Sequence, residues 1–152
     1  MTKEELKNFL LFFKNKEYNS SRYFYLLCAL LAYTGMRLSE TCALTWQDID
    51  FNKKTIFIHS SMFAKNYTIY QRQDTPKNQS SIRKIYIDNF LITVLKKWRK
   101  KQLINRLQNG KNNKVDAENY LFTTIISHTN KEKAVLPIAV STAFKYINNS
   151  LC

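Results

Sequence analysis

The chain has 152 residues and carries 24 Lys and Arg against 11 Asp and Glu, which gives a net charge of +13. With 45% apolar residues and only two Gly and two Pro, this length suits one domain with a sizeable hydrophobic core and excludes a low-complexity segment. The absence of a long apolar run, of a signal-peptide pattern and of any Cys-x-x-Cys pair argues against a membrane partner, secretion and structural zinc, and predicts a cytoplasmic protein with reduced thiols.

Two helices are predicted at the start of the chain. Thr2 followed by Glu5 is a capping box, and apolar residues repeat after it at helical spacing. The stretch 23–33 is almost entirely apolar, which predicts a buried helix capped at Ser20 or Ser21.

A third helix is predicted over 37–44, directly after Gly35. Glycine is favoured where a helix ends with positive φ, so the buried second helix should end there. Arg37 and Glu40 are three residues apart and would share one helical face, where the carboxylate can orient the guanidinium. Taken alone, the pattern also fits a solvated surface arginine.

The middle of the chain predicts a small three-stranded antiparallel sheet. A turn at 50–54 leads into a strand at 55–59, and two further strands near 67–74 and 82–87 are expected to flank a hairpin turn at 77–81. Together with the helices, these strands indicate an α+β fold that is mostly α.

The last part of the chain is predicted to be largely helical. Asp88 should cap a long helix that runs to about Gln108 and ends at Gly110, and a closing helix is expected over 136–147. Leu121 and Phe122 are predicted to lie in a core strand. The residues of the long helix predicted to face inward are Phe90, Leu91, Val94, Leu95 and Trp98.

Two segments of the chain are similar to conserved parts of the tyrosine recombinase (phage integrase) catalytic domain. The first is the Thr-Gly-x-Arg-x-Ser-Glu motif at 34–40 with the Leu-Thr-Trp-Gln-Asp-Ile-Asp-Phe segment that follows it at 44–51. The second is 74–85, whose Thr-Pro-Lys pattern resembles the hairpin that carries the catalytic lysine of that family. The resemblance covers essentially the whole chain but only the first part of the family's catalytic domain.

The resemblance implies a site-specific recombinase of the kind found on mobile elements, which cleaves and rejoins DNA through a 3′-phosphotyrosyl intermediate. Arg37 would bind the scissile phosphate, because a planar guanidinium can meet two phosphate oxygens at once, and Glu40 would support it. Lys77 would protonate the leaving 5′ oxygen, with Arg83 and Lys84 as nearby alternatives. The implied partners are double-stranded DNA and further copies of the full-length protein on that DNA, and no metal or nucleotide cofactor is implied.

Other parts of the family's active site are not found in these 152 residues. Neither His59 nor His128 begins the family's His-x-x-Arg pair, and Tyr146 lies too early to be its nucleophile. We therefore expect residues 1–152 to be one truncated catalytic domain that does not cleave DNA alone. The alternatives are a noncatalytic DNA-binding protein derived from the same fold and a basic RNA- or membrane-binding module.

The positive charge is concentrated in the middle of the chain. Lys and Arg number 6 against 6 Asp and Glu over residues 1–52, 15 against 2 over 53–115, and 3 against 3 over 116–152. Such a concentration, with Tyr67, Tyr70 and Tyr86 interleaved, favours a surface that binds the phosphate backbone. The residues expected to contact DNA are Lys53, Lys54, Lys65, Arg72, Arg83 and Lys84.

Overall fold

The computed structural model describes residues 2–15, 23–66, 69–73, 81–108, 119–126 and 131–151. Its helices are α1 (Lys3–Asn15), α2 (Phe24–Thr34), α3 (Leu38–Ala43), α4 (Asn89–Gln108) and α5 (Pro137–Leu151). Its strands are β1 (Ile49–Asp50), β2 (Thr55–Ile58), β3 (Ser61–Asn66), β4 (Ile69–Gln73), β5 (Arg83–Tyr86), β6 (Thr123–Ile126) and β7 (Lys131–Ala134). Helices hold far more residues than strands, so the predicted mostly α class is confirmed.

The first two helices lie where the sequence predicts them. At the start of α1, the Thr2 backbone N donates to the Glu5 carboxylate at 2.7 Å, and the Glu5 N donates to the Thr2 hydroxyl at 3.2 Å. The predicted serine cap of α2 is wrong, because its N-cap is Tyr23, whose side chain caps no backbone group. Tyr23 is buried and stacks on Phe24 at 4.8 Å, so packing of two aromatic rings sets the start of this helix.

The predicted three-stranded antiparallel sheet is present, in the order β1-β2-β5, and β2 and β5 lie where the sequence predicts strands, but the third strand is β1 and not the segment near 67–74. The segment near 67–74 does not pair across a turn with 82–87; instead β4 pairs with β3, and β5 pairs with β2. Only two residues separate β3 from β4, whereas nine separate β4 from β5, so pairing β4 with β3 closes the shorter loop at lower entropic cost. Apolar alternation alone does not reveal that preference. Of the predicted turn at 77–81, the residues up to Ser80 lie outside the described part of the chain.

Helix α4 presents one face to the core. Its start is capped as predicted, with the Leu91 N donating to the Asp88 carboxylate at 2.8 Å. Leu91, Leu95 and Trp98 are buried, but Phe90 remains 38% exposed, against the prediction. Leu91, Leu95 and Trp98 follow helical spacing on one face, and Phe90 lies at its edge. The predicted end at Gly110 lies outside the described residues.

A buried polar network joins the long helix to the short 3₁₀ turn at Trp46–Asp48, which precedes β1. The Gln102 side chain accepts a hydrogen bond from the Trp46 indole at 2.9 Å and donates to the Leu121 carbonyl at 3.0 Å. Leu121 and Phe122 are fully buried as predicted, although the strand β6 begins only at Thr123. This network fixes the 3₁₀ turn against the core.

Among the ranges that the structure describes, no helix combines the length and apolar character needed to cross a bilayer.

Candidate active site

The segment 34–37 places Arg37 directly after the buried helix α2. Gly35 adopts a φ of 64°, and its backbone N donates to the Leu31 carbonyl at 3.0 Å, which ends α2 in the left-handed cap that glycine tolerates best. Met36 is buried next to it. Arg37 then enters extended backbone and becomes the N-cap of α3.

The ion pair expected between Arg37 and Glu40 is present, with very unequal exposure of its two partners. Both the Arg37 backbone N and its Nη1 lie 3.0 Å from Glu40 carboxylate oxygens. The Glu40 side chain is only 6% exposed, whereas that of Arg37 is 73% exposed. The carboxylate is therefore a fixed anchor, and most of the guanidinium stays open to a ligand.

A second arginine binds the same carboxylate. Arg83 on β5 lies with Nη2 at 2.8 Å from one Glu40 oxygen and Nη1 at 3.2 Å from the other. Arg83 Nη1 also donates to the Ser81 carbonyl at 3.3 Å. The predicted contact of Arg83 with DNA stays a prediction, and the structure gives its guanidinium a partner inside the protein.

The hydrogen bonds keep Glu40 ionised despite its burial. Burial by itself raises the pKa of this carboxyl, but hydrogen bonds from Arg83 and from the backbone and side chain of Arg37 outweigh it, so the pKa is lowered. The same pairing raises the pKa of Arg83. Two guanidinium groups then share one carboxylate, and one positive charge is left uncompensated.

A second buried carboxylate, Asp48, was not singled out from the sequence. Its Oδ2 accepts hydrogen bonds from the Thr45 backbone N at 2.7 Å and the Thr45 hydroxyl at 2.8 Å. Its Oδ1 lies 2.8 Å from His59 Nε2, and Arg72 Nη2 lies 3.6 Å from Oδ2. The spacing Thr-x-x-Asp is a capping signature that could have identified this acceptor.

Members of the two carboxylate clusters, Arg37 and Glu40 of one and His59 of the other, line one open cleft of about 310 Å³. Arg37 and Glu40 line it on one side, and His59 with its neighbours after β2 lines it on another. Gln73 and Ser81 also line it. These two residues flank 74–80, the segment that carries the predicted Lys77, which itself lies outside the described residues.

Three of the other lysines predicted to bind DNA, Lys53, Lys54 and Lys84, do not line this cleft. Lys53 and Lys54 are exposed on the turn between β1 and β2, at the end of β2 opposite His59. Lys84 is exposed on β5, where its amine lies 5.8 Å from the ring centre of Phe57. The side chain of Lys65 lies outside the described part of the structure.

Part of the positive charge of residues 53–115 is neutralised by ion pairs within the protein. Three arginines of that segment form ion pairs with acids from the flanking segments, namely Arg72 with Asp48, Arg83 with Glu40 and Arg106 with Glu132. The remaining basic side chains on α4 and the β1–β2 turn, Lys53, Lys54, Lys96, Lys97, Arg99, Lys100 and Lys101, are exposed. Among the described residues of the middle segment, the exposed charge is therefore carried mainly by lysines.

The described cysteines lie in the core, away from the cleft. Cys28 and Cys42 are free thiols in the core, and burial raises the pKa of each to about 12, so neither is a thiolate near neutral pH. Within the described ranges, no group of three or more His, Cys, Asp or Glu side chains could hold a metal ion.

We expect Glu40→Ala to lower the free energy of unfolding by about 2–4 kcal/mol, because it leaves two arginines and a backbone N without their buried acceptor. The loss should depend on pH. Since the pKa of Glu40 is lowered in the folded state, its contribution is complete above its unfolded pKa and is lost as the pH falls through the folded pKa. Urea unfolding at a series of pH values measures both effects.

Glu5→Ala is the matched control for that substitution. Glu5 occupies the same capping-box position in α1 but is exposed, so its removal should cost only about 0.5–1 kcal/mol. Equal losses from the two variants, or a difference between wild type and Glu40→Ala that does not shrink on acidification, would contradict the role of Glu40 as a buried anchor.

Comparison with known proteins shows the family that this chain resembles. The phage integrase family model matches residues 1–149. The chain is 35% identical over 111 residues to a tyrosine recombinase XerC-like protein of Caldanaerobacter subterraneus subsp. tengcongensis, covering 66% of this chain and 28% of the relative. It is 36% identical over 76 residues to the ICEBs1 integrase of Bacillus subtilis (strain 168), covering 49% of this chain and 20% of the relative.

Solved structures show the shared fold. The Tn1549 transposon integrase in complex with circular intermediate DNA has a TM-score of 0.67 and 24% identity, covering 99% of this chain and 46% of that chain. The XerA recombinase has a TM-score of 0.56 and 18% identity, covering 92% of this chain and 38% of that chain. This chain thus spans less than half the length of these relatives. The match over nearly its whole length shows that it belongs to the phage integrase family.

Proposed function

We propose that this chain is part of the catalytic domain of a site-specific recombinase that cleaves and rejoins double-stranded DNA through a 3′-phosphotyrosyl intermediate. The observation that carries the proposal is Arg37, which is exposed at an open cleft while a buried carboxylate holds it in place. Membership of the phage integrase family supports the same activity. No residue of 1–152 is assigned as the tyrosine nucleophile, and no metal or nucleotide takes part in the proposed reaction.

The chemistry assigned to Arg37 follows from its geometry. A guanidinium has five N–H donors, and Nη1 of Arg37 is used on Glu40, which leaves donors for phosphate oxygens. Negative charge builds up on the non-bridging oxygens when a nucleophile attacks phosphorus. Because Glu40 already fixes the guanidinium, little reorganisation is needed as that charge develops.

The role of Arg83 is to complete this arrangement. If Arg37 alone faced Glu40, the pair would be neutral and would attract an anion weakly. With Arg83 also bound to Glu40, the three groups carry one net positive charge at the cleft. Arg83 is therefore proposed to keep Arg37 available to phosphate without itself contacting the reacting atoms.

Lys77 is proposed as the general acid for the leaving 5′ oxygen. The two alternatives are less suited, because Arg83 is paired with Glu40, and Lys84 lies over the Phe57 ring. Lys77 is four residues from both Gln73 and Ser81, so chain length alone keeps its Cα within about 14 Å of each. Both of those residues line the cleft.

The full-length protein is proposed to act in the cytoplasm and to assemble with further copies of itself on DNA. Residues 1–152 are proposed to belong to a single domain. The exposed lysines on the β1–β2 turn and on α4 support binding to duplex DNA, because clustered positive charge releases counterions from the phosphate backbone.

We predict that this chain binds duplex DNA with little sequence preference and with a strong dependence on salt. Log K should fall against log salt with a slope of about 0.9 for each phosphate contact. Fluorescence anisotropy of a labelled duplex across a salt series measures this slope. Replacing both Lys53 and Lys54 by Gln should reduce it by roughly two contacts.

Lys3→Gln is the matched control, since Lys3 is exposed but belongs to the electrically balanced first third of the chain. It should leave the slope unchanged. A flat response of wild-type affinity to salt rules out the DNA-binding proposal, and equal effects of the two substitutions rule out a defined basic surface.

A further inference from the structure

His59 is held in a fixed orientation at the wall of the cleft. It follows β2 directly, its ring stacks on Phe57 at 5.0 Å, and its Nε2 lies 2.8 Å from Asp48 Oδ1. Asp48 is fixed in turn by two hydrogen bonds from Thr45. The side chain of His59 is 26% exposed and lines the same cleft as Arg37.

The contact with Asp48 decides which ring nitrogen is available to a ligand. An ionised carboxylate only accepts hydrogen bonds, so Nε2 carries the proton that lies between it and Asp48. Arg72 Nη2 also lies within hydrogen-bonding distance of Nε2, at 3.3 Å, but a nitrogen that carries a proton has no lone pair with which to accept from it. Nδ1 is therefore the nitrogen left for a group in the cleft.

The charges around His59 favour an anionic ligand. Asp48 and Arg72 compensate each other, so a protonated His59 leaves this cluster with one positive charge. The cluster of Glu40, Arg37 and Arg83 carries one positive charge as well. A phosphodiester bound between the two clusters would supply a compensating negative charge and an oxygen that can accept from Nδ1–H.

We propose that His59 is a second phosphate-binding residue of the cleft, which donates from Nδ1 to the DNA phosphate that Arg37 binds, and that Asp48 positions it. This inference rests on the proposed function, because it takes the ligand of the cleft to be a DNA phosphate. It assigns His59 a role that is distinct from the His-x-x-Arg pair, which His59 does not form.

The chain offers a direct spectroscopic test, because it contains only two histidines, His59 and His128. The imidazole carbon–proton signals of the isotopically labelled chain are recorded near pH 6. The His128→Gln variant assigns the two signals. Addition of a short duplex, and separately of inorganic phosphate against chloride at equal ionic strength, should move the His59 signal. In Arg37→Ala the movement caused by phosphate should be lost, because the two residues share one anion.

Affinity provides the second measurement. His59→Gln should weaken duplex binding about three- to tenfold at low salt, as expected for one lost hydrogen bond to a charged group, and His128→Gln should not. Asp48→Asn, which keeps the shape of the side chain but removes its charge, should reduce the response of the His59 signal to phosphate while duplex binding persists.

The outcomes separate the two proposals. If anisotropy shows that no duplex binds, the proposed function fails. If a duplex binds but the His59 signal stays in place, or moves equally in Arg37→Ala, the proposed function stands and the role of His59 is overturned. Movement in phosphate and DNA that requires Arg37 supports the shared site.

Discussion

Arg37→Ala is expected to slow DNA strand cleavage by about 10²–10³-fold in a recombinase that contains this chain together with its tyrosine nucleophile. The reason is that a preorganised donor to the phosphate oxygens is lost. The fold should be nearly unaffected, with a change below about 1 kcal/mol, because the Arg37 side chain is 73% exposed and Glu40 keeps its bonds from Arg83. Single-turnover cleavage of a nicked suicide substrate and urea unfolding measure the two effects.

Two further variants sharpen this test. Leu30→Ala removes a fully buried side chain of α2 and should cost about 2–5 kcal/mol of stability, which shows that the unfolding assay detects damage to the core. Arg37→Lys keeps the charge but removes the planar fork, so cleavage should recover only in part. A stability loss from Arg37→Ala as large as that from Leu30→Ala would make Arg37 a structural residue.

Lys77→Ala is expected to slow cleavage by about 10²–10⁴-fold in the same cleavage-competent protein, because the leaving 5′ oxygen loses its proton donor. Affinity for duplex DNA should change little, since only one of many positive charges is removed. The substitution is measured on two substrates that differ only in the leaving atom, one with oxygen and one with sulfur.

The sulfur substrate separates proton transfer from binding. A thiolate leaves without needing a proton, so most of the defect of Lys77→Ala should disappear on it. Arg37→Ala is the matched comparison, because phosphate stabilisation is needed whichever atom leaves, and its defect should persist on both substrates. An equal defect of Lys77→Ala on oxygen and sulfur would show that Lys77 is not the general acid.

The local parts of the site could be predicted from the sequence. Gly35 ends a helix because glycine tolerates a positive φ, and Arg37 and Glu40 meet because residues three apart share a helical face. The capping boxes and the start of α4 follow from equally short-range rules. These features depend on a few neighbouring residues, which a single sequence displays.

The long-range parts of the site could not be predicted. Arg83 is 43 residues from Glu40, and its pairing with that carboxylate depends on which strands join. The apolar alternation located segments near β4 and β5 but did not show that one would pair with β3 and the other with β2. The contact between Asp48 and His59 could not be predicted for the same reason, since it depends on the path of the chain through β1 and β2, whereas the Thr45–Asp48 capping box is local and could have been.

The pairing of β4 and β5, the strands that carry Arg72 and Arg83, also determines when the cleft can form during folding. Glu40 and Asp48 lie in the first third of the chain, whereas Arg83 and Arg72, which bind them from strands β5 and β4, lie in the middle segment. A partly folded chain in which β4 and β5 are still detached therefore keeps its lysines and the local Arg37–Glu40 pair, but it lacks Arg83 beside Glu40 and Arg72 beside Asp48. Such a chain can be attracted to DNA as a polycation, yet it cannot hold a phosphate in a defined place. Since a ligand that binds only the native state stabilises that state, bound DNA should favour the pairing of β4 with β3 and of β5 with β2.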